Sequence, residues 1–189
     1  MAVWRVGAAD AFSLFRSNKS MTKSEELEGL RREFEQADPK RRLAAAERVL
    51  NAPELAREFV HQLLAGLCSQ DEALREVCVG ALEGMGPPEK ADALKVIVPY
   101  LPKDELQGYW AATLIGRLAT GGAAAVSELA TTLNSSPSMA VRERCAWALG
   151  QIGPTAIAAL PMLESAATSS EPRLARFAKE AISSISVGK

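Results

Sequence analysis

The stretch from Met139 to Pro154 reads MAVRERCAWALGQIGP, and it has a close counterpart, EALREVCVGALEGMGP, 67 residues earlier, at Glu72 to Pro87. Half of that spacing, 33 or 34 residues, is the period of the chain. Periods of this length are typical of proteins built from stacked helical units. The repeat therefore decides the architecture, although it does not identify a partner.

The four clear copies of this stretch place apolar or small residues at matching positions. In the quoted copy these are Val141, Cys145, Ala148, Leu149 and Ile152, at relative positions i, i+4, i+7, i+8 and i+11. This spacing predicts one apolar face of an α-helix. The matching residues of the other copies are Leu74, Cys78, Ala81, Leu82 and Met85, then Gln107, Ala111, Leu114, Ile115 and Leu118, and then Leu174, Ala178, Ala181, Ile182 and Ile185.

A second helical pattern precedes each copy, so each unit is predicted to be a pair of helices. The first helices are expected at about 53–67, 90–101, 122–133 and 154–167, with turn signals such as Gly86-Pro87-Pro88 between the pairs. A weaker pair comes earlier, with helices from Lys23 and from Pro39 to Leu50. The sequence predicts one repeat domain over residues 23–189, with units of about 23–51, 53–86, 87–119, 120–153 and 154–186.

The bulk composition favours an ordinary all-α protein. The 189 residues are 48% apolar, 24% charged and only 5% aromatic, with a formal net charge of -1. Near-neutral charge gives no field that would concentrate phosphates, so nucleic acid is an unlikely partner and a membrane is not expected. The cysteines, Cys68, Cys78 and Cys145, show no metal-ligand clustering and indicate small thiols in a reducing compartment, so we expect a cytoplasmic protein.

Residues 1–22 share nothing with the repeat and form a predicted N-terminal tail of unknown role. Three readings stay open for it. It has a basic balance faintly like that of a targeting segment; it has apolar residues through which it would dock on the domain; and Met21 offers a later start of the reading frame. The apolar residues are Trp4, Phe12, Leu14 and Phe15.

The repeats resemble HEAT and HEAT-like repeats, especially the short form of phycobilisome-lyase-type proteins. The resemblance is carried by Val141-Arg142, Ala148-Leu149-Gly150 and Ile152-Gly153, and in the other copy by Leu74-Arg75, Ala81-Leu82 and Met85-Gly86. It implies a right-handed α-solenoid of about five stacked antiparallel helix pairs, in which the second helices line a concave face. It also implies that Arg75 and Arg142 are structural, tying adjacent repeats together by bonding acids and helix ends.

The sequence offers little support for catalysis. His61 is the only histidine, and it lies among apolar residues, which favours a structural role. Cys78 and Cys145 align with Ala111 and Ala178, so their position demands small volume rather than a reactive thiol. We therefore expect no catalytic residues, no metal site and no cofactor.

Binding is the more informative expectation. Positions on the second helices that point away from the apolar stripe cannot belong to the core of their own pair. By the resemblance, they form an aromatic strip on the concave face, which we expect to bind a partner because Trp, Tyr and Arg dominate interaction hot spots. The predicted binding residues are Tyr109, Trp110, Trp147, Phe177, Arg117, Glu143, Arg144, Arg176 and Glu180. The alternative for Trp110 and Trp147 is that they fill gaps between repeats beside Gly80 and Gly108.

The function predicted from the sequence is a non-enzymatic scaffold or adaptor that binds a peptide or helix of another protein. One alternative is a bilin-lyase-like protein or subunit that handles a chromophore, since bilin lyases use this short repeat. A second is a HEAT-like DNA glycosylase, which the near-neutral charge makes unlikely.

Overall fold

The computed structural model describes residues 22–36, 38–88 and 92–187. The tail residues discussed above, from Trp4 to Met21, lie outside these ranges. The described part of the chain contains eleven α-helices, no strand, and short 3₁₀ turns over Val98–Tyr100, Ala119–Ala125 and Gly153–Ala159. The helices are α1 (Lys23–Glu35), α2 (Pro39–Leu50), α3 (Pro53–Ala56), α4 (Val60–Gly66), α5 (Glu72–Gly84), α6 (Ala93–Ile97), α7 (Glu105–Arg117), α8 (Val126–Ser135), α9 (Met139–Ile152), α10 (Leu160–Ala167) and α11 (Pro172–Ser186).

These helices form five consecutive pairs, and the protein is an all-α solenoid, as the sequence predicts. The second helices of the pairs are α2, α5, α7, α9 and α11. Each packs on the first helix of its own pair, and most also pack on the second helix of the next pair. The predicted stripe forms the core: Val141, Cys145, Ala148, Leu149 and Ile152 are each at most 2% exposed.

Four of the five second helices, α2, α5, α7 and α9, begin at side-chain caps. The carboxylate of Asp38 accepts a hydrogen bond from the backbone N–H of Lys40, and Asp71, Asp104 and Ser138 accept in the same way from residues three positions later. Such caps satisfy backbone donors that have no partner within the helix. At the start of the solenoid, Thr22 and Glu25 form a capping box for α1.

The first helices are broken, whereas the sequence analysis expected continuous ones. In the second pair, Phe59 leaves the helical region between α3 and α4, and its ring is fully buried 5.6 Å from the ring of Phe34. In the third pair a 3₁₀ turn containing Pro99 follows α6, and in the fourth and fifth pairs 3₁₀ turns containing Gly121-Gly122 and Pro154 precede α8 and α10. Glycine and proline weaken or prevent regular helix. Lys90, where one first helix was expected to start, lies outside the described residues.

One helical stretch of the described chain, Met139–Ala167, is long and apolar enough by composition to be considered as a membrane span. It is not a single straight helix, because Gly153 has a φ of 72° and Ala156 departs from helical geometry. In addition, α9 packs between α7 and α11. Burial between neighbouring helices therefore accounts for the apolar character of this stretch.

Glycines let successive second helices approach closely in the C-terminal half. A Cβ atom at Gly116 of α7 would lie 2.5 Å from Cζ3 of Trp147 and 3.1 Å from the Cα of Ala148, both in α9. A Cβ at Gly150 of α9 would lie 3.1 Å from the Cα of Ala181 in α11. These contacts leave no room for a side chain, so the two glycines set the spacing of α7, α9 and α11.

The spacing between α5 and α7 is different. Glu83 occupies the position in α5 that Gly116 and Gly150 occupy in α7 and α9. Accordingly, the backbones of α5 and α7 do not approach as closely as those of α7 and α9. A carboxylate-bearing side chain cannot be accommodated where helix backbones touch, so this step of the solenoid is wider.

Gly116→Ala tests the close approach of α7 and α9. Alanine favours helix over glycine by about 1 kcal/mol, but the new Cβ must displace the Trp147 ring, and overpacking of this kind costs about 1–3 kcal/mol. We expect a net loss of stability in urea or thermal unfolding. The control is Gly29→Ala in α1, where no atom of the described residues lies within 4 Å of the added Cβ, and where we expect a gain of about 0.5–1 kcal/mol. Equal gains for both variants would contradict the close packing.

Candidate functional site

The predicted binding residues lie along the surface formed by the second helices α5, α7, α9 and α11, which we call the second-helix face. They are not isolated side chains on this surface. Most of them lie in the seams between successive second helices, where each contacts the neighbouring unit. Tyr109, Trp147 and Phe177 are half-buried, whereas Trp110 is only 7% exposed.

The seam between α5 and α7 is bridged by Arg117, which lies beside the buried Trp110 of its own helix. The guanidinium of Arg117 donates to the backbone carbonyls of Leu82 at 2.7 Å and Met85 at 2.9 Å, which lie at the end of α5. It also lies 5.7 Å from the centre of the Trp110 ring. Arg117 therefore joins two units by satisfying carbonyls that the end of a helix leaves without partners.

The pKa of the Arg117 guanidinium is lowered in this partly buried position. Burial lowers the pKa of its guanidinium from the ordinary value, and the positive charge of Arg144 lowers it further, while Glu83 acts in the opposite direction. The two guanidinium groups are therefore close enough to repel each other. Arginine remains charged regardless, because its ordinary pKa is far above neutrality.

The seam between α7 and α9 contains a stack of three side chains. The guanidinium of Arg144 lies 4.4 Å from the ring centre of Tyr109 and 4.9 Å from that of Trp147, and it donates a hydrogen bond to the Tyr109 hydroxyl. These distances are typical of cation–π contacts. The ring of Tyr109 also packs edge-on against Trp110, with centres 5.9 Å apart.

Trp147 fills the space beside Gly116. It therefore occupies a gap between repeats, as the alternative proposed, but not beside Gly80 or Gly108. The glycines named in the sequence analysis are occupied otherwise: Gly80 faces Leu50 of α2, and Gly108 faces Val141 and the carbonyl of Leu101. The sequence places Gly116 two helical turns after Tyr109, on the same face of α7. It does not show that Trp147 of α9 covers this glycine, because that depends on how α7 packs on α9. Trp147 nevertheless keeps part of its ring at the surface.

The seam between α9 and α11 is electrically balanced. Nε of Arg173 lies 3.0 Å from a carboxylate oxygen of Glu143, whose side chain is 13% exposed, and Arg176 pairs with Glu180 at 2.9 Å. Both arginines also flank the Phe177 ring, at 5.7 Å and 4.5 Å from its centre. Arg173 was not among the predicted binding residues, although its place one residue before the apolar stripe was visible in the repeat alignment.

Arg75 and Arg142 bond to helix ends, as the resemblance implied, but they do so within a unit and not between adjacent repeats. Arg142 donates through Nε to the carbonyl of Leu133 at 2.9 Å, and Arg75 donates to the carbonyl of Ser69 at 2.7 Å. Each acceptor precedes the second helix of the same pair. These arginines therefore connect the two helices within a unit, while the tie between units that the structure shows is made by Arg117.

His61 has a structural partner across a unit boundary. The Tyr100 hydroxyl is 2.9 Å from Nδ1 of His61 and 3.3 Å from its backbone carbonyl. Nearby, the side-chain amide of Gln107 donates to the carbonyl of Leu64 at 2.9 Å. These bonds link the second and third pairs on the side of the solenoid formed by the first helices. A cleft of about 590 Å³ opens beside His61, between α1, α2, α4 and α5.

The described residues contain no cluster of His, Cys, Asp and Glu that would hold a metal ion. Burial raises the pKa of the Cys78 and Cys145 thiols to about 12. Both therefore stay protonated near neutral pH, which makes them poor nucleophiles. Cys78 lies against Gly66, where an added Cβ would come within 2.5 Å of its sulfur, so this position does demand small volume.

Thiol reactivity provides a direct test of these positions. With iodoacetamide at pH 8, we expect the native protein to be modified at Cys68, the exposed thiol, while Cys78 and Cys145 remain unmodified. In denaturant all three should react, as counted by intact-mass spectrometry. Rapid alkylation of Cys145 in the native protein would contradict its position in the core.

Arg117→Met tests the tie between α5 and α7. The change leaves buried carbonyls at the end of α5 without a donor, so we expect a loss of about 1–3 kcal/mol in the free energy of unfolding. The control is Arg176→Gln, which removes an exposed i,i+4 ion pair and should change stability by less than about 0.5 kcal/mol. If both variants unfold at the wild-type urea concentration, the carbonyl bonds of Arg117 do not contribute as described.

Comparison with known proteins agrees with this architecture. The model of the HEAT repeats family matches residues 101–183. No curated protein sequence matches the chain. Among solved structures, a designed armadillo repeat protein is 15% identical, with 85% of this chain and 100% of that chain covered and a TM-score of 0.36, too low to carry weight for function. The recognition of HEAT-like repeats from the sequence is confirmed, with residues 101–183 matching the family.

Proposed function

We propose that the protein is a non-enzymatic scaffold that binds a segment of another protein on its second-helix face. Repeats of the HEAT and armadillo type commonly form protein-interaction scaffolds, which supports the general class. The observation that carries the specific proposal is the row of half-buried side chains from Tyr109 through Trp147 to Phe177, interleaved with arginines.

This row has the composition of an interaction hot spot. Tyr, Trp and Arg provide large contact areas at low entropic cost, especially when their side chains are already held in place. Here, Arg144 and the two rings beside it fix one another before any partner arrives. Pre-organisation reduces the cost of ordering side chains on binding, so the seam is suited to recognise a short segment.

The predicted binding residues do not contribute equally to this proposal. Trp110 and Arg117 are engaged within the solenoid, so we assign them to the support of the face. Tyr109, Arg144, Trp147 and Phe177 retain accessible surface and form the proposed contact area. Glu143, Arg176 and Glu180 lie at its C-terminal border, where their ion pairs keep that end close to neutral.

A cytoplasmic location belongs to the same proposal, since a reducing compartment maintains free thiols such as Cys68, Cys78 and Cys145. Chromophore handling and base excision, the alternatives raised by the resemblance, gain no specific support from the geometry of the described residues.

Position-specific photo-crosslinking tests the proposal. Tyr109 and Phe177 are each replaced by p-benzoylphenylalanine, which preserves an aromatic ring, and the variants are expressed in cells of the source organism. We expect crosslinked species of higher mass at both positions after irradiation. The controls are replacements at Ile157 and Met162, exposed apolar residues of the opposite surface formed by the first helices.

Crosslinks from Ile157 or Met162 but not from Tyr109 or Phe177 would overturn the assignment of the face. Circular dichroism melting of each purified variant confirms that the replacements leave the solenoid folded. In a chain without p-benzoylphenylalanine, Tyr109→Ala should pull down less of the partner identified in the crosslinked species than the wild type does.

A further inference from the structure

Arg144 differs from the other arginines of the second-helix face in the described part of the chain. Arg117 donates to backbone carbonyls, while Arg173 and Arg176 pair with carboxylates. Arg144 donates only to the Tyr109 hydroxyl. A guanidinium carries five N–H donors, so most of the donors of Arg144 have no partner among the residues that the structure describes.

The two rings beside Arg144 hold its guanidinium without consuming those donors. Cation–π attraction acts on the faces of the guanidinium, whereas hydrogen bonds are donated from its edge. The rings also exclude water from part of the group, which is half-buried. A partly desolvated charge with free donors binds an anionic acceptor more strongly than one in bulk water.

No carboxylate among the described residues pairs with Arg144, although Glu83 offsets part of the positive charge at Arg117. Arg117 and Arg144 are near enough that, besides burial, the charge of Arg144 lowers the pKa of Arg117. The next seam, by contrast, is neutralised by the pairing of Arg173 with Glu143. An incoming carboxylate would therefore relieve repulsion between the two guanidinium groups as well as accept hydrogen bonds from Arg144.

We propose that Arg144, Tyr109 and Trp147 form a carboxylate-binding site, and that the partner is an acidic peptide segment that places a Glu or Asp side chain in this seam. The inference rests on the proposed function and specifies the chemistry of its partner. Arg144 supplies the charge-assisted hydrogen bonds, and the exposed parts of the rings contact the apolar stem of the peptide side chain.

The pairing of charges around the seam favours a peptide over a nucleic acid as the source of the anion. Binding of nucleic acid relies on several cations that each neutralise a phosphate. Arg173 and Arg176 of the neighbouring seam are already paired with Glu143 and Glu180, so a continuous phosphate backbone would find few unpaired charges beside Arg144. A peptide can place a single carboxylate at Arg144 and neutral or basic residues elsewhere.

Selection from a random peptide library tests the inference. Phage displaying 12-residue peptides are selected on the immobilised full-length chain, in the wild type, in Arg144→Gln and in Arg41→Gln. Arg41 is an exposed arginine of α2, so its replacement removes the same charge outside the seam between α7 and α9. We expect the wild type and Arg41→Gln to enrich peptides that contain Glu or Asp, and Arg144→Gln to lose this preference.

Binding of the enriched peptides then gives the size of the effect. Loss of a charge-assisted pair should weaken the affinity by about tenfold or more in Arg144→Gln, with partial recovery in Arg144→Lys. Replacing the acidic residue of the peptide by Gln should have the same effect on the wild-type protein. This second test does not depend on the stability of any protein variant.

The outcomes separate the two proposals. If no peptide is enriched on the second-helix face of the wild type, the proposed function fails and the inference fails with it. If peptides are enriched without an acidic preference, or bind Arg144→Gln as tightly as the wild type, the carboxylate site alone is overturned. Tighter binding of a fluorescein-labelled 20-nucleotide DNA than of any peptide would also overturn it, in favour of a phosphate ligand.

Discussion

The close contact of successive second helices, made possible by Gly116 and Gly150, is the constraint on which the rest of the C-terminal half depends. The Cα of Ala181 and the ring of Trp147 occupy the space where side chains would otherwise project. This spacing brings Tyr109 of one unit beside Arg144 of the next. Without it, the half-buried stack in the seam would separate into exposed side chains, with no pre-organised surface for a partner.

The step from α5 to α7 shows the consequence of losing that glycine. With Glu83 in the equivalent position, the helices stay farther apart, and the seam is bridged by Arg117. The same column of the repeat therefore produces two kinds of seam. The α7–α9 seam is closed by direct backbone packing and leaves Arg144 partly exposed. The α5–α7 seam is wider, and its Arg117 caps the end of α5.

Much of this could be predicted from the sequence, because the repeat encodes it in residue spacing. The apolar stripe containing Val141 and Leu149, the start of α2 at Pro39 and the all-α class follow from helical periodicity and capping rules. The breaks in the first helices were missed, since packing of Phe59 and local turns at Gly121 override the helical pattern. The binding role of the predicted residues remains a prediction.

The site could be located only in part, since helical spacing gives the face of a residue but not its neighbour. Trp110 and Arg144 occupy the same column, yet one is buried and the other retains free donors, because the helices facing them differ in residues far along the sequence. The glycine column was readable in the alignment. Its importance became apparent only when the contacts of Gly116 and Gly150 showed which helices touch.

Chemical-shift mapping would show whether the seam between α7 and α9 receives the partner. In ¹⁵N–¹H spectra of the full chain titrated with an acidic peptide enriched on the wild type, we expect large shifts for the Trp147 indole N–H and the Arg144 side chain. The indole of the buried Trp110 and the amides of α8 and α10 should shift little. Shifts concentrated on α8 and α10, with the Trp147 indole unmoved, would mean that the peptide binds elsewhere.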